Sequence, residues 1–424
     1  MPLAFPCASD RSAATRVIAY LSAWLVAGLA SLACAPAPGP ADDPVAIADL
    51  VATPPLATAN LLWQGSGSSG AEYKVTAMAA ANEGVFVATS NVYSTRQANH
   101  SAAFLIGYDG VARRVYSGPE ESIGPLFGPY MTVEHGPSVL QLRNGRVREA
   151  IAMPQAPPGT LGCSVDAADC NWSIVGALAW NGAAALTYNL GPYKQGQFFD
   201  SPKLLSIDAS PPYHFSLRRL QATVQGAAFH DGVLWLSTSF GWTEDDNALV
   251  RLNAPSAEAY SILEETRGSD VGALHWFAGS LYGGGGRRIA EGSSAPPAAL
   301  YELSDDRWRA VLDTGSETVN QLLEACGKLW IATTNPDRVL VMDAFGEIAV
   351  VAEHPDEGNE EDPRSFGSTF DLRLEREGNA WRWRYYWARS DLHRAYLYEL
   401  VPQASEGLCE PLLTSGSGIG EQID

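Results

Sequence analysis

Four polar residues stand early in short apolar runs of the chain: Thr76, Gln225, Asn320 and Asp371. A carboxylate, a hydroxyl and two amides could together hold a divalent cation or a polar small molecule, because hard cations take several oxygen ligands. They are the candidate ligands of a central channel. Carboxylates also cluster at residues 244–246 and between Glu353 and Asp362. Neither cluster has the alternating Asp/Asn and Gly of a calcium loop, so both read as solvated acidic loops. The seven His lie at 100, 135, 214, 230, 275, 354 and 393. None pairs at the spacing of a metalloprotease helix, and no G-x-S-x-G nucleophile elbow occurs. Residues 65–70 match G-x-G-x-x-G. A dinucleotide site needs a helix next, and a strand-like run, Tyr73-Lys-Val-Thr-Ala-Met78, follows instead. No catalytic residue is assigned, and no cofactor is predicted beyond a divalent cation in the channel.

A second chemistry is stacking. Trp381-Arg-Trp-Arg-Tyr-Tyr-Trp387 alternates aromatic and basic residues. On a strand, Trp381, Trp383, Tyr385 and Trp387 share one face. That face is a candidate surface for sugars or peptides, through ring contact and cation–π attraction. The competing reading has these rings fill an internal interface while the arginines face water.

Six cysteines complete the reactive set. Cys7 and Cys34 fall in the N-terminal segment; Cys163, Cys170, Cys326 and Cys409 remain. An even number in an exported chain points to disulfides. Cys163 and Cys170 bracket a short loop, which leaves Cys326 for Cys409. The two bridges would contribute about 2.5 and about 4.5 kcal/mol in the chain-entropy description. Zinc is the alternative, but C-x-x-C is missing and no His stands at ligand spacing.

The elements that must position these groups are short strands. Apolar runs rich in Val, Leu, Tyr and Trp are separated by Gly, Asn, Asp and Pro, with no convincing amphipathic helix. A repeat recurs: an apolar strand, a turn ending in Gly, then a second strand. The turn glycines are 84, 128, 182, 232, 279, 327 and 378, spaced by 44, 54, 50, 47, 48 and 51. A third and a fourth strand complete each copy, as in Arg338-Val-Leu-Val-Met342 and Arg307-Trp-Arg-Ala-Val-Leu312. A lone four-stranded unit cannot cover both faces, whereas stacked neighbours bury them.

The second strands resemble those of bacterial β-propellers with an L-W-[IVL]-[GA]-T signature. Leu329-Trp-Ile-Ala-Thr333 and Leu234-Trp-Leu-Ser-Thr238 match best, and the resemblance covers about residues 60–415. It implies an all-β, seven-bladed β-propeller of four-stranded antiparallel blades, with a channel lined by the innermost strands. Leu61-Leu-Trp-Gln64 resembles a fourth strand placed before the first blade, so it is a candidate to close the ring. Leu408-Cys-Glu-Pro-Leu-Leu413 competes for that place.

The remaining signals concern location. Arg11 and Arg16 precede an apolar run that ends in small residues, the pattern of a signal peptide over 1–33. Leu29-Ala-Ser-Leu-Ala-Cys34 resembles a lipoprotein lipobox, which implies lipidation at Cys34, although Ser31 stands where that pattern prefers Leu. Residues 34–58 read as a Pro/Ala-rich tether, 59–415 as the β-propeller and 416–424 as a C-terminal tail. The expected location is outside the cytoplasm, as a membrane-anchored lipoprotein of the outer membrane or periplasm; secretion is the alternative. The net charge of −20 repels phosphate backbones and excludes nucleic acid as a natural partner. The functional expectation is a monomeric binding or scaffold protein with a protein or glycan partner at the cell envelope. The alternative is a metal-dependent, lactonase-like propeller hydrolase with its site in the central channel.

Overall fold

The computed structural model describes residues 44–66, 73–91, 101–118, 123–127, 130–133, 138–143, 146–152, 171–180, 183–191, 202–208, 215–219, 223–239, 247–252, 260–268, 271–285, 298–315, 317–354, 367–377, 380–391, 394–403 and 408–409. The signal, Cys34, and the Cys163–Cys170 pair lie outside these residues. So do the turn glycines at 128, 182 and 378 and the acidic residues 244–246.

Strand β1 (Val45–Ala46), helix α1 (Ile47–Leu50) and strand β2 (Ala57–Ser66) come first. The first sheet is β3 (Tyr73–Ala81), β4 (Gly84–Asn91), β5 (Ser101–Ile106) and β6 (Ala112–Gly118). The second is β7 (Ile123–Phe127), β8 (Tyr130–Val133), β9 (Ser138–Arg143) and β10 (Arg146–Ala152). The third is β11 (Asn171–Trp180), β12 (Ala183–Gly191), β13 (Pro202–Asp208) and β14 (Phe215–Arg219). The fourth is β15 (Thr223–His230), β16 (Val233–Ser239), β17 (Asn247–Leu252) and β18 (Ser261–Leu263). The fifth is β19 (Val271–Phe277), β20 (Ser280–Gly285), β21 (Ala298–Ser304) and β22 (Arg307–Gly315), and β1 adds to β22 in parallel. The sixth is β23 (Thr318–Ala325), β24 (Lys328–Thr334), β25 (Arg338–Met342) and β26 (Ile348–Glu353). The seventh is β27 (Gly367–Glu377), β28 (Ala380–Ser390) and β29 (Arg394–Pro402), completed by β2 from the other end of the chain.

The expectation of an all-β chain of four-stranded antiparallel sheets therefore holds, with two additions. A single helical turn, α1, precedes β2, and β1 widens the fifth sheet to five strands. Ile47 and Leu50 of α1 pack against the apolar cluster between the fifth and sixth sheets, so the end of the tether segment is docked. The outer place of the seventh sheet is taken by β2. Its register on β29 runs from Ala57 opposite Pro402 to Ser66 opposite Arg394.

The first strands of successive sheets lie side by side, from β3 through β7, β11, β15, β19 and β23 to β27, and β27 lies beside β3. Apolar clusters fill the space between neighbours. Trp330, Phe370, Tyr385 and Trp387 pack between the sixth and seventh sheets. Val75, Val85 and Ile106 of the first sheet meet Tyr386, Ala388 and Leu397 of the seventh. This is what the repeat dictates: where side chains are described, the sheets bury apolar residues against their neighbours.

Local geometry follows from turn chemistry. The first hairpins of the fourth, fifth and sixth sheets turn on Asp231-Gly232 (φ 48° and 80°), Ala278-Gly279 (49° and 89°) and Cys326-Gly327 (49° and 71°). Two successive residues at positive φ make a type I′ turn, whose twist matches that of paired strands. Just inside five of the first strands the register slips by one residue. The slips leave Thr76, Val175, Gln225, Gly272 and Asn320 unpaired as bulges. Bulges sharpen the strand twist, which fans the sheets. At one of these places the sheets touch: a Cβ on Gly226 would lie 1.9 Å from the carbonyl oxygen of Gly272, so only glycine fits.

Cys326 and Cys409 form a disulfide with a Cα–Cα distance of 5.7 Å across a separation of 83 residues. It ties the β23–β24 hairpin to the segment after β29. Closing a loop of that length reduces the entropy of the unfolded chain by an amount worth about 4.5 kcal/mol at most. The double variant Cys326→Ser/Cys409→Ser should lose about 2–4.5 kcal/mol of stability in denaturant titration, and dithiothreitol should lower the stability of the wild type but not of the variant.

Candidate functional site

The structure places the four channel candidates at one recurring position of the first strands. Thr76, Gln225 and Asn320 are bulge residues. Asp371 holds the corresponding place in β27, where the register is regular and it faces Tyr386. Asn320 is exposed, while the other three are partly buried. The Thr76 hydroxyl donates to the Ala88 carbonyl at 3.4 Å. Gln225 Oε1 is buried and meets no hydrogen-bond partner among the described residues.

Asp371 is a seam residue. Its Oδ2 accepts the Ala80 N–H of the first sheet at 2.7 Å, and its Oδ1 accepts the Leu372 N–H at 2.8 Å. Burial pushes its pKa up from 3.8 to about 6, against the pull of these two donors. Three of the four candidates are neutral, and both oxygens of the fourth are engaged. The set therefore does not fit the charged, oxygen-rich cage of a divalent cation, and no step is derived through one.

The aromatic strand is corrected by burial. Tyr385 and Trp387 are 3% and 0% exposed and pack between the sixth and seventh sheets, with Trp383 partly buried against the same cluster. The Trp387 indole N–H donates to Ser368 Oγ at 2.9 Å. Trp381 is only partly exposed. These rings fill an inter-sheet space and offer no open stacking face, because that is the face the neighbouring sheet covers.

A concave site does exist, at the hairpin ends of β15, β19 and β23. It is a cleft of about 570 Å³ lined by Phe229, His230, His275, Trp276 and Glu324, with Ala227, Ala228, Leu274, Phe277, Ala278 and Gly279. Strand alternation sorts its side chains. Trp276 shares the face of Leu274, toward the fourth sheet, and His275 shares that of Phe277, toward the sixth. The His230 ring lies flat on the Trp276 indole, with centroids 4.3 Å apart and planes 10° apart. The His230 Nε2 is 3.3 Å from Asp231 Oδ2. Burial lowers the pKa of His275 below the ordinary imidazole value, so it is neutral at neutral pH. Glu324 on β23 is exposed. A flat ring platform, a neutral imidazole and a carboxylate thus border one space.

Sequence reasoning missed this cleft. It passed over His275 and Glu324, and it read His230 as a turn residue in Phe229-His-Asp-Gly232. The available signal was that His230, Trp276 and Glu324 all fall one to three residues before a turn glycine of the repeat. In a ring of repeats such positions come together.

No family model and no curated protein matches the chain. Solved structures do. Prolyl endopeptidase is 12% identical with a TM-score of 0.38, over 75% of this chain and 45% of that one. This chain therefore spans less than half of the endopeptidase. The polysaccharide lyase Uly1 is 9% identical with a TM-score of 0.37, over 81% of this chain and 100% of that one. A β-xylosidase/α-arabinofuranosidase from a compost microbial metagenome, in complex with xylotriose, is 13% identical with a TM-score of 0.29, over 58% and 96%. Likeness of this degree carries no activity over to the present chain. All three are nevertheless enzymes, two of them carbohydrate-active. The expectation of a non-catalytic binding or scaffold protein finds no support in these comparisons, since the solved structures named are all enzymes.

The raised pKa of Asp371 has a measurable consequence. Between about pH 4 and pH 6 the folded protein keeps a proton that the unfolded chain releases, so stability falls as pH rises through that window. The full shift corresponds to about 3 kcal/mol at most. Asp371→Asn removes the titration. Its stability relative to wild type should rise between pH 4 and pH 6 in thermal or denaturant melts; a flat difference would show that Asp371 ionises normally.

Proposed function

We propose that the chain is an exported seven-bladed β-propeller, closed by β2, that acts on carbohydrate in the cleft between its fourth and sixth blades. The observation that carries this reading is the His230–Trp276 stack beside His275 and Glu324. A pyranose ring presents an apolar C–H face that packs on aromatic planes, and its hydroxyls need polar groups at the edge. The neutral imidazole of His275 can accept a proton, and Glu324 supplies the carboxylate across the same space. Paired carboxylates would be needed for ordinary glycoside hydrolysis. Among the described lining residues Glu324 is the only carboxylate, so the proton-transfer pair assigned to this cleft is imidazole and carboxylate. Seven blades are supported by the seven sheets and by the cycle of first strands.

The location belongs to the same reading. The charged, apolar and small-residue regions of 1–33 support export, and Cys34 is the proposed lipid-bearing residue, which would hold the propeller at the cell envelope. Metabolic labelling with palmitate should mark the wild type and fail with Cys34→Ser, which should then appear in the soluble fraction.

The cleft is tested with a panel of oligosaccharides, reading binding by calorimetry and cleavage by product analysis. Trp276→Ala should weaken binding about tenfold or more and lower the melting temperature, because Trp276 packs against Trp235 and its cluster, and Trp276→Phe should recover part of both. His275→Ala should abolish cleavage while binding persists. Sugar binding that is indifferent to Trp276 would overturn the reading.

A further inference from the structure

The charge of the cleft selects among sugars. Glu324 contributes a carboxylate, His275 is held neutral by burial, and the described lining residues include neither Arg nor Lys. At the mouth, Asp231 Oδ2, 3.3 Å from His230 Nε2, brings a second carboxylate. A uronate, sulfate or sialyl group seated here would face Glu324 with no counter-charge in the lining, and like charges in contact are costly. A cation meets an attractor in the carboxylate of Glu324, which shares the lining with the His230–Trp276 stack.

Resting on the carbohydrate reading above, we infer that the cleft takes an amino sugar, a pyranose bearing a free ammonium group, with Glu324 as its specificity-determining residue. The apolar ring face lies on the His230–Trp276 platform and the ammonium group pairs with Glu324. The acidic character of the whole chain, net −20, adds long-range attraction for cationic oligosaccharides and makes their capture sensitive to salt.

The experiment titrates the purified full chain with three probes of equal length: a glucosamine tetramer, its fully N-acetylated counterpart and a tetragalacturonate. The glucosamine tetramer should bind about ten- to a hundredfold more tightly than the acetylated one, the range expected for a hydrogen bond to a charged group. The galacturonate should bind least. Glu324→Gln should abolish the difference between the first two probes. Equal affinities for the amine and its acetylated form, or preference for the galacturonate, would overturn the amino-sugar inference and leave the carbohydrate reading intact. Failure of all three probes, together with no response to Trp276→Ala across the wider panel, would overturn both.

Discussion

The pairing of β2 with β29 is the constraint on which the rest of the molecule depends. The sheets whose side chains are described bury apolar clusters against the sheets beside them, so each depends on its neighbours. The seventh sheet obtains its outer strand only from the beginning of the chain. That strand also brings Leu62 and Trp63 into the cluster shared with the first sheet, and the Trp63 ring sits 5.2 Å from that of Phe104. One pairing thus completes a sheet and covers a seam. Because the strand comes from some 340 residues earlier than its partner, the contact is the most non-local in the fold, and the loop-closure entropy it overcomes is correspondingly large.

The seams between sheets combine burial with a few directed polar contacts. Gln321 Oε1 accepts the Phe370 N–H at 2.6 Å and the Thr369 hydroxyl at 2.8 Å, joining the sixth sheet to the seventh. Arg389 meets Asp337 at 2.5 Å across the same seam, and its guanidinium lies 5.0 Å from the Tyr396 ring centroid. Val75 N–H finds Ser390 Oγ at 3.0 Å between the seventh and first. Burying an ion pair costs desolvation that the pair's own attraction often fails to exceed. Apolar contact therefore holds the sheets together, and these polar links fix their angular register. Asp371 shows the limit of such a device: its two N–H donors favour the carboxylate, but burial in the seam disfavours the charge and outweighs them.

The architecture was legible in the sequence because it is written in period and turn chemistry. The glycines at 232, 279 and 327 announce type I′ hairpins, and the structure gives each a positive φ. The fourth-strand character of Leu61-Leu-Trp-Gln64 made it one of two candidates for the outer strand of the seventh sheet, and β2 takes that place; the pairing of Cys326 with Cys409 followed from elimination. The site was not legible, for two reasons. First, the aromatic run from Trp381 to Trp387 has the same alternation whether its ring face meets solvent or another sheet, and only the neighbour decides. Second, the cleft residues come from three repeats and stand on opposite faces of β19, so no local pattern connects Glu324 with His275. The bulges mattered too. One extra residue in β15, β19 and β23 shifts every later side chain by one place relative to the regular β27, and periodicity alone cannot place that shift.

The cleft lies between the fourth and sixth sheets because of what occupies the hairpin ends elsewhere. At the seam of the seventh and first sheets, Arg373 caps the turn, donating to the Ala81 carbonyl and, at 2.8 Å, to the Tyr108 hydroxyl. The Tyr108 ring stacks on Tyr386 with centroids 5.7 Å apart. Long side chains there fold back over the strand ends and fill the space. The turns of the fourth and fifth sheets instead carry glycine, and nothing stands within 4 Å of a Cβ built on Gly232 or Gly279. Small residues, Ala227, Ala278 and Gly279, line the opening. With no long cap among the described residues, the hairpin ends stay open, and His230 and Trp235 both stack on Trp276 in the seam between the fourth and fifth sheets. The same repeat thus yields a closed seam or an open cleft according to the size of the two or three residues at the hairpin end.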